Sequence, residues 1–421
     1  MFVGVMVDFN MEKIIMLSLL IFSANMFGQN VQTVKTVAYS FIVQDTPSQL
    51  FTMRQFNQSY LSTYRLLARG LNSVTKKRYI SDLIQIGLHS FFFMPLTHEE
   101  GHRSILTVNY VGSISQPFFN ESGAAYVKGV TDQTLMDLRD NDLPTYIRLH
   151  TGGLESDYML TKHVESIGSF DLDDFNHYKW EYWLRKGAIL QYFILGIFEF
   201  EIDIKEESNE LERDIVGFDT YGAVRHLFRP TMNFYRYTRH EDLTVEEKKY
   251  VKRLGYRSLL NLLNPLMLGK GGFKLNEKTT MNVGLGYMMS PFGDFIDENI
   301  WLKSGLFNFL FYARQFQNKE NWFHGIGIGL VDYQLSKKLI VSVTSHYWQQ
   351  PVNYDFNTSE SFTGGAVDAN LKYFFFNNQN GWLNGFSVDF GLVYKTEGFL
   401  PEELYLDEHF GFRFGTTIKL D

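Results

Sequence analysis

The chain has 421 residues, 45% apolar, 16% aromatic and 20% charged, with a formal net charge of -8. That length and apolar content excludes wholesale disorder, and 47 acidic against 39 basic groups exclude the basic face of a general nucleic-acid binder, so no nucleic-acid partner is expected. With no cysteine there are no disulfides, no thiolate ligands and no cysteine nucleophile, so any metal must be held by His, Asp or Glu.

In chain order, Met11-Glu12-Lys13, an apolar stretch over 14–22 and small or polar residues up to Gln29 have the layout of a signal peptide, with Met11 as the start and residues 1–29 removed. No later stretch reaches the roughly 20 apolar residues of a membrane-crossing helix. Residues 30–270 read as a mainly helical domain, because charged and apolar residues recur at intervals of three and four, as at Ile80, Leu83, Ile84 and Leu88. Loops are expected at 114–120, at 139–143 ahead of Pro144, at 151–153 and at 166–174. The acidic run 199–214 reads as a solvated face or linker.

Within this domain stands His98-Glu99-Glu100-Gly101-His102. On a helix, His98 and His102 lie one turn apart on the same face and can share one zinc, while Glu99 beside them can take a proton from zinc-bound water. A catalytic zinc needs a third protein ligand. The metzincin extension would need Gly at 105 and His at 108, where this chain has Ile105 and Val108. Glu121 follows His102 after 18 residues (103–120), in the segment Asn120-Glu121.

This pair of motifs resembles the gluzincin class of HExxH zinc metallopeptidases, in which a second helix supplies an Asn-Glu pair at about that distance. The resemblance implies His98, His102 and Glu121 as zinc ligands and Glu99 as the catalytic base, with residues 124–140 as the second helix. His150, Glu155 and His163 are alternative ligands or oxyanion donors.

Residues 271–421 change period. Phe410, Phe412, Phe414, Thr416, Ile418 and Leu420 alternate with Gly411, Arg413, Gly415, Thr417 and Lys419, the period of a strand with two unlike faces. Similar alternation marks 281–289, 301–313, 322–334, 339–348, 367–376 and 386–394, separated by turn-like stretches such as 290–294 and 377–381. Seven is an odd number, whereas bacterial outer-membrane barrels normally have even strand counts, so at least one more strand is expected, from 34–43 or 198–205. This third of the chain resembles the small β-barrels of the bacterial outer membrane.

The fold class expected is therefore α+β: a mainly helical N-terminal domain carrying the HExxH helix, followed by an antiparallel up-and-down β-barrel of about eight strands. The resemblances imply an outer-membrane zinc-dependent metallohydrolase, a peptidase with its helical domain on the periplasmic side. Outer-membrane lipid is the expected partner, with other outer-membrane or periplasmic proteins. The alternative is a non-enzymatic subunit of an outer-membrane assembly, transport or secretion complex, its metal site structural or degenerate.

Overall fold

The computed structural model describes residues 36–46, 52–118, 125–199, 206–377 and 382–421. The expected signal peptide, Glu121 and most of the segment 198–205 lie outside them. The chain is α+β, helical in its first part and stranded in its last.

Ten strands form one antiparallel sheet in the order β1-β12-β11-β10-β9-β8-β7-β6-β5-β4. They are β1 (Val37–Gln44), β4 (Phe273–Lys274), β5 (Thr279–Ser290), β6 (Gly293–Ser304), β7 (Phe307–Gln317), β8 (Trp322–Gln334), β9 (Leu339–Pro351), β10 (Ser361–Asn377), β11 (Leu383–Lys395) and β12 (His409–Leu420). A small ribbon of β2 (Ile114–Gln116) and β3 (Tyr126–Lys128) stands apart. The alternation read from β12 is observed: Phe410, Phe412 and Phe414 are exposed, while Arg413 and Thr417 are buried on the opposite face. The expected N-terminal strand at 34–43 is β1, which pairs with β12 from Val37↔Leu420 to Phe41↔Thr416.

Two strand expectations are corrected. The stretch 301–313 is not one strand: Gly305, at φ +60°, turns the chain between β6 and β7. The stretch 290–294 is not all turn, because β6 begins at Gly293, paired with Ser290. Its acidic residues hid it. Asp297 faces inward, where Arg314 on β7 donates two hydrogen bonds of 2.6 and 2.7 Å to its carboxylate.

The sheet does not close into a barrel among the described residues. Its outermost strands meet helical structure instead, which satisfies their unpaired backbone groups. The helix α1 (Met53–Val74) runs beside β1 and supplies side-chain donors to its carbonyls. Ser62 Oγ donates to Ser40 O (2.6 Å), Gln55 Nε2 to Val43 O (2.8 Å) and Ser59 Oγ to Ile42 O (3.3 Å). At the other side, where the two-residue β4 covers only the start of β5, Asn261 exchanges two hydrogen bonds with the backbone of Tyr287 on β5 (2.9 and 3.0 Å), and Leu285 N donates to Leu263 O.

The long helix α5 (Leu143–Ser169), which follows the short α4 (Asp132–Asn141), packs on the inner face of the sheet. It starts at Asp142, whose side chain accepts from Thr145 N, with Pro144 in the first turn where its missing N–H costs nothing. Tyr158 OH and Lys162 Nζ donate to Asp297 at 2.5 and 3.0 Å, and Trp301 Nε1 donates to Ser166 Oγ. Between α1, α5 and the sheet lies a cavity of about 670 Å³ lined by charged side chains, among them Arg314, Asp368, Lys372, Asp389 and Arg413. The inner face thus combines ion pairs with buried aromatics such as Phe295, Trp301 and Phe316, while the outer face is apolar and exposed.

Candidate metal centre

Three helices build the site. Residues 78–108 form one helical run: α2 (Arg78–Leu88), a π-helical turn (His89–Phe93) and α3 (Met94–Val108). His98 and His102 project from α3 toward α5, and α7 (Asp219–Phe228) brings Asp219 to meet them in its first turn, where a carboxylate suits the helix dipole.

The crossing of α3 and α5 depends on glycine. A Cβ atom at Gly101 would overlap the other helix's backbone, one at Gly152 would press tightly against it, and one at Gly153 would overlap both imidazole Nε2 atoms. Residues 151–153, expected as a loop, are therefore the middle of α5. Gly-Gly serves there as a place for close approach, not as a chain reversal.

The three side chains converge tightly. His98 Nε2 lies 3.1 Å and His102 Nε2 3.4 Å from Asp219 Oδ2, and the two Nε2 atoms are 3.2 Å apart. Ligands held tetrahedrally at zinc distances of about 2.0–2.1 Å stand about 3.3 Å from one another, so these separations fit one small cation. The far ring nitrogens point the same way: His102 Nδ1 donates to Leu149 O (2.7 Å), and His98 Nδ1 faces the Asp157 carboxylate (2.8 Å). Both partners can only accept, so each Nδ1 carries the proton and each neutral ring turns a lone pair toward Asp219. Two lone pairs and a carboxylate at this spacing require a shared cation or a proton.

Without a cation, the electrostatics place a proton among these groups instead. Burial disfavours the His98 imidazolium, but Asp157 and Asp219 outweigh it and hold the His98 pKa well above the ordinary value. Asp219 is held well below the usual carboxylate range, its burial outweighed by His102 and His98. Glu99, also buried, is pushed up to about 8 by burial and by the neighbouring carboxylates of Asp219, Asp157 and Glu100, against the attraction of His98. Asp214 is raised well above the usual range by burial and by Glu99. The acidic run 199–214 was expected as solvated face or linker; its last residue lies in the electrostatic surroundings of the site.

A buried polar chain supports the first imidazole. Asp157 also accepts from Arg185 on α6 (Lys179–Phe198), which donates to Thr97 Oγ1 (2.8 Å) and to Glu181 (2.5 Å). Tyr192 of α6 stacks on the His98 ring at 4.9 Å and 12°.

Of the residues singled out in the sequence, His98 and His102 are brought together, with Glu99 beside them. Glu121 lies outside the described residues, and the third ligand-type group that they supply is Asp219. The alternatives are occupied elsewhere. Glu155 accepts two hydrogen bonds from Arg148 (2.6 and 2.9 Å), and His163 pairs with Glu402 (3.0 Å). His150 is buried against Tyr146 and His226. Asp219, Asp157, Gly153 and Tyr192 were missed by the sequence reading. Only Gly152-Gly153 carried a visible signal, and it resembled a turn. No known protein family, curated protein or solved structure matches this chain.

Proposed function

We propose that the protein is a membrane-associated zinc-dependent hydrolase of the peptidase type, with His98, His102 and Asp219 as the ligands and Glu99 as the base. The single observation that carries this reading is the meeting of two imidazole lone pairs and a carboxylate within 3.4 Å, each ring fixed by an acceptor at its other nitrogen. Two nitrogens and one carboxylate oxygen suit zinc, and three protein ligands leave a fourth position for water. When bound there, zinc supplies a Lewis acid and makes its water acidic near neutral pH.

The chain's own groups then have definite tasks. Glu99 accepts the proton of the attacking water and returns it to the leaving amine. Asp157 and Leu149 O keep the imidazoles in the ligating tautomer. The Tyr192 phenol, whose pKa burial and the charges of Asp219 and Glu99 hold well above the ordinary value, stays protonated and donates to the developing oxyanion.

The membrane part of the proposal rests on the sheet. Its outer face presents Ile326, Ile328, Phe390, Leu392, Phe410 and Phe412, all exposed, while its inner face carries the ion pairs. That polarity is the arrangement of an outer-membrane wall, apolar toward lipid and polar toward a lumen. Strands β5 to β12 run 11 to 17 residues, long enough to cross the hydrocarbon layer when tilted. The proposed closure of this wall is by α1 and residues 261–263. No described helix is long and apolar enough to cross a membrane.

Elemental mass spectrometry of the purified protein tests the centre. About one zinc per chain is expected in the wild type, lost in His98→Ala and Asp219→Ala and retained in Glu121→Ala. Loss of zinc in Glu121→Ala, but not in Asp219→Ala, would return the third ligand to the position read from the sequence. Absence of metal from wild type purified without chelator would leave the non-enzymatic assembly subunit as the better reading.

A further inference from the structure

Helix α2 has its polarity reversed relative to the core it covers. The inward face of α2 and of the π-helical turn that continues it is polar: Ser81, Gln85 and His89 are 0%, 1% and 0% exposed. Ser81 Oγ donates to Asn72 Oδ1 (2.6 Å), Gln85 Nε2 donates to Ser81 Oγ (3.0 Å), and His89 Nε2 lies 2.8 Å from Glu181. These bonds fix the rotation of the helix. The outward face is apolar: Ile80, Leu83, Ile84, Leu88 and Phe91 follow the helical repeat, with Leu83 63% and Phe91 69% exposed.

Immediately before this stripe come Lys76, Lys77 and Arg78, consecutive and exposed, with no ion pair among the described residues in a chain of net charge -8. An apolar helical stripe flanked by a short basic run is the chemistry of a helix lying in the interface of an anionic bilayer. Aliphatic and aromatic side chains enter the acyl boundary while the cations meet phosphate headgroups. A soluble partner gives no comparable reason for the basic cluster to stand at the end of an uncharged stripe.

We propose that the stripe from Ile80 to Phe91, with Lys76, Lys77 and Arg78, is a docking surface for an anionic phospholipid bilayer. This is a second lipid contact, distinct from the outer face of the sheet, and it does not depend on the site being a hydrolase. Because α2 and α3 are one helical run, His98 stands seven residues beyond Phe91, about 10 Å along the axis at 1.5 Å per residue. The metal centre is thereby held close to the headgroup layer.

The absence of cysteine permits a direct test. A single cysteine is introduced at Leu83, Ile328 or Glu246 in the full chain, labelled with an environment-sensitive fluorophore, and reconstituted in phosphatidylcholine–phosphatidylglycerol vesicles. Labels at 83 and 328 are expected to be quenched several-fold more by doxyl-labelled lipid than the label at 246, which aqueous iodide should quench instead. Reversing the cluster with Lys76→Glu, Lys77→Glu and Arg78→Glu should weaken lipid quenching at 83 and leave that at 328 unchanged. The proposal is overturned if the label at 83 is open to iodide. It is equally overturned if that label is shielded from both quenchers, as burial against a second copy or another part of this chain would produce. Quenching at 328 without quenching at 83 defeats this docking surface alone, whereas failure at both also defeats the membrane wall.

Discussion

A methyl group at position 153 has no room, because it would overlap the Nε2 atoms of both His98 and His102. Gly153→Ala is therefore expected to abolish zinc binding and to destabilise the fold by about 1–3 kcal/mol, the usual cost of overpacking. Metal analysis beside chemical denaturation checks both, and retention of full zinc would remove the ligand geometry from which the site is argued. Glu99→Gln separates holding the metal from using it. The amide keeps the shape but cannot take a proton, so zinc content should stay at the wild-type level while peptide hydrolysis falls by about 10²–10⁴-fold. Equal activity in the two proteins would show that Glu99 is not the base.

At the scale of elements, the α5–α7 contact places His150 and His226 against each other, ring centroids 5.3 Å apart, both buried and without hydrogen-bond partners among the described residues. Burial pushes their pKa values down to about 3 and about 2, with further lowering at His226 from His150 and Arg225. The unfolded chain takes up these protons near pH 6.5, while the folded state does so only far lower. The stability that they contribute is present above pH 6.5 and is lost as pH falls toward the folded values. His226→Phe, which keeps the ring against Tyr146, should flatten the dependence of unfolding free energy on pH between 6 and 4 by about 1.4 kcal/mol per unit. An unchanged slope would mean that His226 is not held neutral. At the α1–β1 contact, Ser62→Ala removes a donor to Ser40 O and leaves the longer bond from Gln58 Nε2 (3.2 Å). A loss of about 1 kcal/mol is expected by denaturant titration.

At the scale of the whole molecule, the sheet carries ion pairs and an apolar core shared with the helices on one face, and exposed apolar side chains on the other. The buried pair Arg314–Asp297 and the half-buried pair Lys372–Asp332 lie on its inner face, while the exposed aromatics and aliphatics of β8, β11 and β12 cover the outer face. An outer face against lipid makes Ile328→Lys costly, by about 2–4 kcal/mol in vesicles if the residue lies near the midplane. Facing water, the same change would be close to neutral. Unfolding measured in vesicles discriminates the two directly.

Local pattern was enough to find the HExxH helix, because two imidazoles one turn apart are a property of a single helix. It was also enough for most of the C-terminal strands and to make β1 one of two candidates for a further strand, because period-two alternation is a property of a single strand. Tertiary structure decided what no local pattern encodes. Asp219 is 121 residues from His98, and only the packing of α7 against α3 and α5 brings them together. Gly152-Gly153 has the composition of a turn, and its position in the middle of a helix is set by the close approach of α3. The charged sequence of β6 hides a strand until Arg314 is seen opposite Asp297. Whether the sheet closes on itself or on helices depends on which groups reach its free backbone, and the donors on α1 come from a helix whose own periodicity gives no sign of that use. A sequence reports the period of each element; the partners of that element are fixed by long-range packing, where the free energy of burying each face is gained.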